Sequence, residues 1–168
     1  MIFFSDKIEK YIPPKKGIKH ILYIIRELLD FTPQSNQTDI SVALEFLSGV
    51  AKRHCTAFMM SDFYDRKSFL HPLTISNRKH DVVAIQVYDW WERRLPDVGL
   101  LKVRDAESGY EQYIDTGSKK LRDLHQRNWN NRQASLHEVF TKSNVDNVSI
   151  ATDEDYVKQL MMLFRKRN

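Results

Sequence analysis

Thr56-Ala57-Phe58-Met59-Met60-Ser61-Asp62-Phe63 is a short apolar run that stops at a carboxylate. A run of this length between polar flanks suits a strand buried on both faces. In open α/β sheets ligands sit beyond the carboxyl ends of such strands. That places Asp62 at a rim where a metal or a partner would bind. A second run, Asp81-Val82-Val83-Ala84-Ile85-Gln86-Val87-Tyr88, is rich in β-branched residues and also ends at a carboxylate, Asp89.

Helical spacing fills the intervals between these strands. Ile18, Ile21, Leu22, Ile25, Leu28 and Leu29 make one apolar stripe over 17–30. Thr38 opens a second helix with Ile40, Ala43, Leu44, Leu47, Val50 and Ala51 inward. Residues 65–79 read as a broken helix. Residues 118–143 read as a long polar helix whose stripe (Leu121, Leu124, Asn128, Leu136, Val139, Phe140) is weak in the middle. Residues 145–151 form a last strand, and Thr152 with Asp155 resembles a capping box for a final helix. Ile2-Phe3-Phe4 and the arm ending at Pro13-Pro14 read as a small hairpin. The turn residues Ala106-Glu107-Ser108-Gly109 mark another hairpin. Strands alternating with helices predict a three-layer α/β domain with a mostly parallel, doubly wound sheet and right-handed crossovers. The opening inside a strand predicts that a segment upstream is missing.

Composition sets the bounds. The 168 residues make one domain's worth of chain, with 42% hydrophobic and 29% charged residues. At this size roughly 70% of the unfolded surface is buried on folding, so no covalent staple is needed. Cys55 is the only cysteine, which excludes an intrachain disulfide and fits a reducing, cytoplasmic setting. No apolar run approaches the ~20 residues of a membrane span. The net charge of +4 does not by itself mark a nucleic-acid binder.

Several side chains carry competing readings. Thr38 and Asp62 are candidate metal ligands, and they are equally a helix cap and a turn residue. Asp6, Asp62 and Asp89 each follow a strand-like run. Were those strands parallel neighbours, three carboxylates would share one edge, as in a magnesium-dependent phosphoester hydrolase of nuclease type. No convincing general base accompanies them. Trp90 and Trp91, followed by Arg93 and Arg94, offer stacking to bases, or else one core anchor and one rim aromatic. His54 and Cys55, adjacent on a strand, point to opposite faces and make a poor nucleophile–base pair. No histidine or cysteine spacing suggests a zinc site.

The order of elements resembles a von Willebrand factor A-like domain, and in particular the bacterial domain-of-unknown-function family fifty-eight. The segments that carry the likeness are Phe4 through Pro14, Thr38-Asp39-Ile40 with Ala43-Leu44, Ser61-Asp62-Phe63, and His80 through Ile85. Glu92 with Leu95-Pro96-Asp97-Val98-Gly99, and Ala151 through Tyr156, extend it nearly end to end. The resemblance implies a non-catalytic protein-interaction module that works with a MoxR-type AAA+ ATPase in assembly or chaperone-like work. It also implies a Mg²⁺ site of the metal-ion-dependent adhesion kind in the intact module, with no metal expected on this chain alone. Thr38 and Asp62 match two of that site's three pieces, while Ser61 and Asp89 lie on the same partner-binding rim. The third piece, an Asp-x-Ser-x-Ser loop, is absent, and the family's first strand and helix are missing with it. The vacated central position implies that the Ile2 strand pairs directly with the strand opened by Cys55, or that exposed edges join two copies.

Overall fold

Val82, Val83, Ala84, Ile85 and Gln86 are all buried, so the β-branched run occupies the centre of a sheet. Burial of each larger apolar side chain there contributes roughly 1.5–3 kcal/mol. The computed structural model describes residues 1–105 and 108–167, so Ala106 and Glu107 of the second expected hairpin turn lie outside the described residues. Along the chain run β1 (Ile2–Phe4), β2 (Ile8–Tyr11), α1 (Ile18–Asp30), α2 (Ile40–Val50), β3 (Thr56–Ser61), α3 (Leu70–Lys79) and β4 (Asp81–Tyr88). Then follow α4 (Trp90–Arg93), β5 (Leu100–Arg104), β6 (Glu111–Asp115), α5 (Lys119–Ser143), β7 (Asp146–Ala151) and α6 (Tyr156–Arg167).

The main sheet is parallel, in the order β3-β4-β7, with Thr56 level with Asp81 and Val83 level with Asp146. Two antiparallel hairpins, β1–β2 and β5–β6, stand apart from it. Ile40 and Leu44 of α2, Leu73 of α3, and Leu136 and Phe140 of α5 pack on the face that presents Val82 and Ala84. On the other face α6 lies along β7, and Phe164 meets Phe58 edge-on at 6.0 Å. Arg167 closes the far end by pairing with Asp81 (2.5 Å) and Asp146 (3.4 Å). Asn77 joins three elements there. Its amide donates to the carbonyls of Ser143 (3.2 Å) and Asn144 (2.7 Å), and its oxygen accepts from Val82 N–H (3.0 Å).

Several sequence expectations are corrected. β1 does not pair with β3: among the described residues its strand partner is β2, and an apolar groove lies between the hairpin and β3. The helix expected over 65–79 begins only at Leu70, because Asp65 spends its carboxylate on loop amides and on the start of α2. The last helix is capped by Asp155, which accepts from Val157 N–H (3.0 Å), while Thr152 turns instead toward Asp89. Trp90 and Trp91 are both exposed, and the buried tryptophan is Trp129, against Tyr88. The stripe of α1 forms as a stripe, yet none of its residues is buried. α1 turns His20, Ile24 and Glu27 inward instead, with Glu27 paired to Lys10 of β2.

His80 is fully buried, with Nδ1 3.6 Å from Cys55 Sγ and Nε2 without a hydrogen-bond partner. Burial holds its pKa below the ordinary imidazole value, helped by the charges of Lys79 and His54. As pH falls through that ordinary value the unfolded chain takes up a proton that the folded chain refuses, so stability is lost toward acid. Urea unfolding at pH 7.5 and 5.5 should show a loss from this residue of up to about 1.4 kcal/mol. His80→Gln should lack that part of the slope; a variant with the wild-type slope would contradict it.

Candidate functional site

The carboxyl ends of β3 and β4 and the start of α2 meet at one end of the molecule. Ile40 N–H at the first turn of α2 donates to Asp65 Oδ2 (2.8 Å), in the loop that follows β3. Thr38 and Asp62 are therefore carried by segments at the same end of the sheet. The helix cap is Asp39, not Thr38: its carboxylate accepts from Ser41 N–H (3.0 Å). Aspartate caps well because its oxygen reaches an amide that the helix leaves unpaired.

Lys67 Nζ stands 2.6 Å from Asp39 Oδ2. That hydrogen bond is the main reason the buried Asp39 carboxyl lies below the usual carboxylate range. The same bond raises Lys67, and the charges of Asp65 and Asp6 raise it further. The Lys67 ammonium thus pairs with Asp39 and feels the charges of Asp65 and Asp6.

Asp62 itself is exposed and shapes a turn. Its Oδ1 accepts from Tyr64 N–H (3.1 Å) and from Ser61 Oγ (3.3 Å), while Ser61 Oγ accepts from Phe63 N–H (3.0 Å). The turn needs Phe63 at φ 55°, a left-handed conformation uncommon outside glycine. Burial of the Phe63 ring against Phe69 and Phe140 offsets that cost. Below it, buried Gln86 ties the strand ends together: Nε2 donates to Asp62 C=O (3.3 Å), and Oε1 accepts from Ser149 Oγ (2.8 Å). Asp89 caps α4 in a reciprocal box with Glu92 and lies 3.5 Å from Thr152 Oγ1.

Asp62 and Asp89 therefore share the rim of neighbouring parallel strands. Asp6 does not join them as a third strand-end carboxylate, since β1 lies outside the parallel sheet. Among the described residues no group of three or more His, Cys, Asp or Glu side chains could hold a metal ion. Magnesium requires about six oxygens in near-octahedral array. One hydroxyl at Thr38 and one carboxylate at Asp62 do not fit that demand by themselves.

A cleft of about 300 Å³ lies beside the rim, lined by Tyr64, Glu92, His125, Asn128, Trp129 and Arg132. The Arg132 guanidinium sits between two rings, 5.1 Å from the Tyr64 centroid and 4.8 Å from that of Trp129. Its Nη2 approaches Glu92 at 3.5 Å. Sequence reading passed over this cluster because Trp129 falls within a polar helix. The Trp129–Arg132 spacing of three, which puts both on one helical face, was the available signal.

Comparison with known proteins gives a consistent picture. The family model described as "Protein of unknown function DUF58" matches residues 1–135. Uncharacterized protein Rv1480 of Mycobacterium tuberculosis is 28% identical over 160 residues, covering 93% of this chain and 50% of that one. The chain thus spans about half the length of that relative, and the same holds for its Mycobacterium bovis counterpart, Mb1516. Uncharacterized protein MAV169 of Mycobacterium avium is 24% identical over 159 residues, covering 93% of each chain. The crystal structure of conserved hypothetical protein BatB from Bacteroides thetaiotaomicron aligns with TM-score 0.59 at 11% identity, over 99% of this chain and 76% of that one. Likeness at that identity concerns the fold alone, which is von Willebrand factor A-like.

The Asp39 cluster makes a stability prediction. Its lowered carboxyl contributes stability that is present above the ordinary carboxylate pKa and lost as pH falls through the folded value. Asp39→Ala should cost about 1 kcal/mol at pH 7 through the lost cap. Asp39→Asn keeps a capping oxygen and should cost less. The gap in urea midpoint between wild type and Asp39→Asn should shrink below pH 4; a gap that persists to pH 2.5 would refute the ion-pair account.

Proposed function

The chain belongs to the DUF58 family, and from that premise we propose that it is a non-catalytic protein-interaction module whose docking rim is the carboxyl edge of β3 and β4. The observation that supports this reading most is the convergence of the Thr38 loop and the Asp62 turn on one end of the sheet, tied by the Asp65–Ile40 and Asp39–Lys67 bonds. Asp62 and Asp89 are exposed there. Asp62 and Ser61 are the contacts nearest the partner, and Asp89 extends the rim along β4. Thr38 and Asp62 are this chain's share of a Mg²⁺ site that needs a partner's carboxylate and further oxygens to complete. The isolated chain therefore lacks a complete Mg²⁺ site. The partner class implied by the resemblance is a MoxR-type AAA+ ATPase, met in the cytoplasm.

The hydrolase reading loses its geometric basis, because it needs three parallel neighbouring strands and β1 is not one of them. Turnover still decides between the two. The test immobilises this chain and measures binding of a purified MoxR-type ATPase by biolayer interferometry, with Mg²⁺ and with EDTA. Binding should weaken about tenfold or more in Asp62→Ala, as for a central interface anchor. Bis(p-nitrophenyl) phosphate should not be cleaved above background. Equal binding by Asp62→Ala, or phosphodiester cleavage that Asp62→Ala abolishes, would contradict the proposal.

A further inference from the structure

The cleft of about 300 Å³ lies where α4 packs against α5. His125, Asn128, Trp129 and Arg132 line it from one face of α5. Trp129 is buried against Tyr88, with ring centroids 5.0 Å apart, so it is a fixed wall. The rings of Trp129 and Tyr64 hold the Arg132 guanidinium by cation–π contact, at 4.8 and 5.1 Å. A guanidinium donates all its N–H bonds in its own plane, so stacking leaves that edge for an acceptor. Among the described residues its one hydrogen bond runs from Nη2 to Glu92 Oε2, at 3.5 Å, long for such a bond. Glu92 is held back, because its Oε1 accepts from Asp89 N–H (2.9 Å) in the capping box of α4. Arg132 Nε is buried with no partner among the described residues. A buried donor without an acceptor is costly and marks a place for one.

The chemistry of this edge selects its occupant. A carboxylate is planar and offers two acceptor oxygens, which matches the guanidinium fork. Phosphate suits it less. It would bring a second charge beside Glu92 and Asp89, and no lysine stands among the lining residues. A cationic side chain would meet the charge of Arg132 as well as that of Glu92.

We propose that this cleft takes one carboxylate from an acidic side chain of a partner protein. Arg132 clamps it in the guanidinium plane, and the 3.5 Å contact of Glu92 gives way while Oε1 stays on Asp89 N–H. The proposal rests on the docking rim described above for its partner, and names what that partner brings: an aspartate or glutamate beside the surface that meets Asp62 and Asp89.

NMR titration of the ¹⁵N-labelled whole chain tests it, read at the Trp129 indole N–H and the Arg132 Nε–H. The probes are an acetylated, amidated tripeptide with glutamate between two glycines, its glutamine counterpart, and inorganic phosphate. The glutamate peptide should shift both signals saturably at millimolar concentrations; the glutamine peptide should not, and phosphate should bind more weakly. Arg132→Lys keeps the charge but loses the planar fork, and should weaken the glutamate peptide about tenfold or more. Glu92→Gln keeps a capping oxygen and removes the competing charge, so it should tighten binding several-fold. Circular dichroism checks that Arg132→Lys is folded; if it is not, Glu92→Gln carries the test. The titration contains no ATPase and no Mg²⁺, so its outcome is independent of the Asp62 test. Equal response to the two peptides, tighter binding of phosphate, undiminished binding by a folded Arg132→Lys, or binding by Glu92→Gln no tighter than wild type would each overturn the proposal.

Discussion

β4 is the strand on which the rest of this structure depends. It alone in the main sheet is paired on both edges, to β3 and to β7. Its backbone groups are buried, and buried groups must find partners. Val82 and Ala84 face α2, α3 and α5, while Val83 and Ile85 face the α6 side. A strand apolar on both faces can rest only between two helical layers, so the layering follows from β4's composition. Parallel pairing then brings the ends of β3, β4 and β7 to one rim, and Gln86 ties β3's turn to β7 across that rim.

Much of this was legible in the sequence, for physical reasons that can be named. The period-3.6 stripe of α2 and the unbroken β-branched run of β4 identify their elements by themselves, and the parallel sheet follows from their alternation. What the sequence hides is competition between local bonds. Thr38, Asp39 and Asp65 all have the chemistry to cap α2 or shape its approach. Asp39 is the cap because Lys67, twenty-eight residues downstream, neutralises it in place. Thr152 and Asp155 compete in the same way for α6, and Asp155 prevails while Thr152 leans to Asp89. Such outcomes depend on residues distant in sequence. The site was legible to the extent that Asp62 and Asp89 end neighbouring strands; Arg132 and its two rings were not, because a lone tryptophan in a polar helix carries no period.

The molecule offers two surfaces of different physical character. The rim is polar and largely satisfied from within: Asp62, Asp39 and Asp89 each accept backbone hydrogen bonds from the chain itself. Contact there would act through exposed charge on a stiff frame. The β3 edge is the opposite case: among the described residues no strand other than β4 pairs with it, and apolar side chains line the groove beside it. The exposed stripe of α1, with Ile18 at 73% and Leu29 at 80%, adds to the apolar surface this chain presents. Fields steer a partner to the first kind of surface.

The claim common to this account is that β3 hangs from β4 by one edge and leaves its other edge open. Amide hydrogen exchange read by NMR on the uniformly labelled chain tests it residue by residue. The amides of Ala57, Met59 and Ser61, bonded to β4, should be protected, and those of Phe58 and Met60 should exchange much faster. Even protection along the whole strand, or protection of the even-numbered amides instead, would show that β3 has another partner or another phase, and would contradict the account.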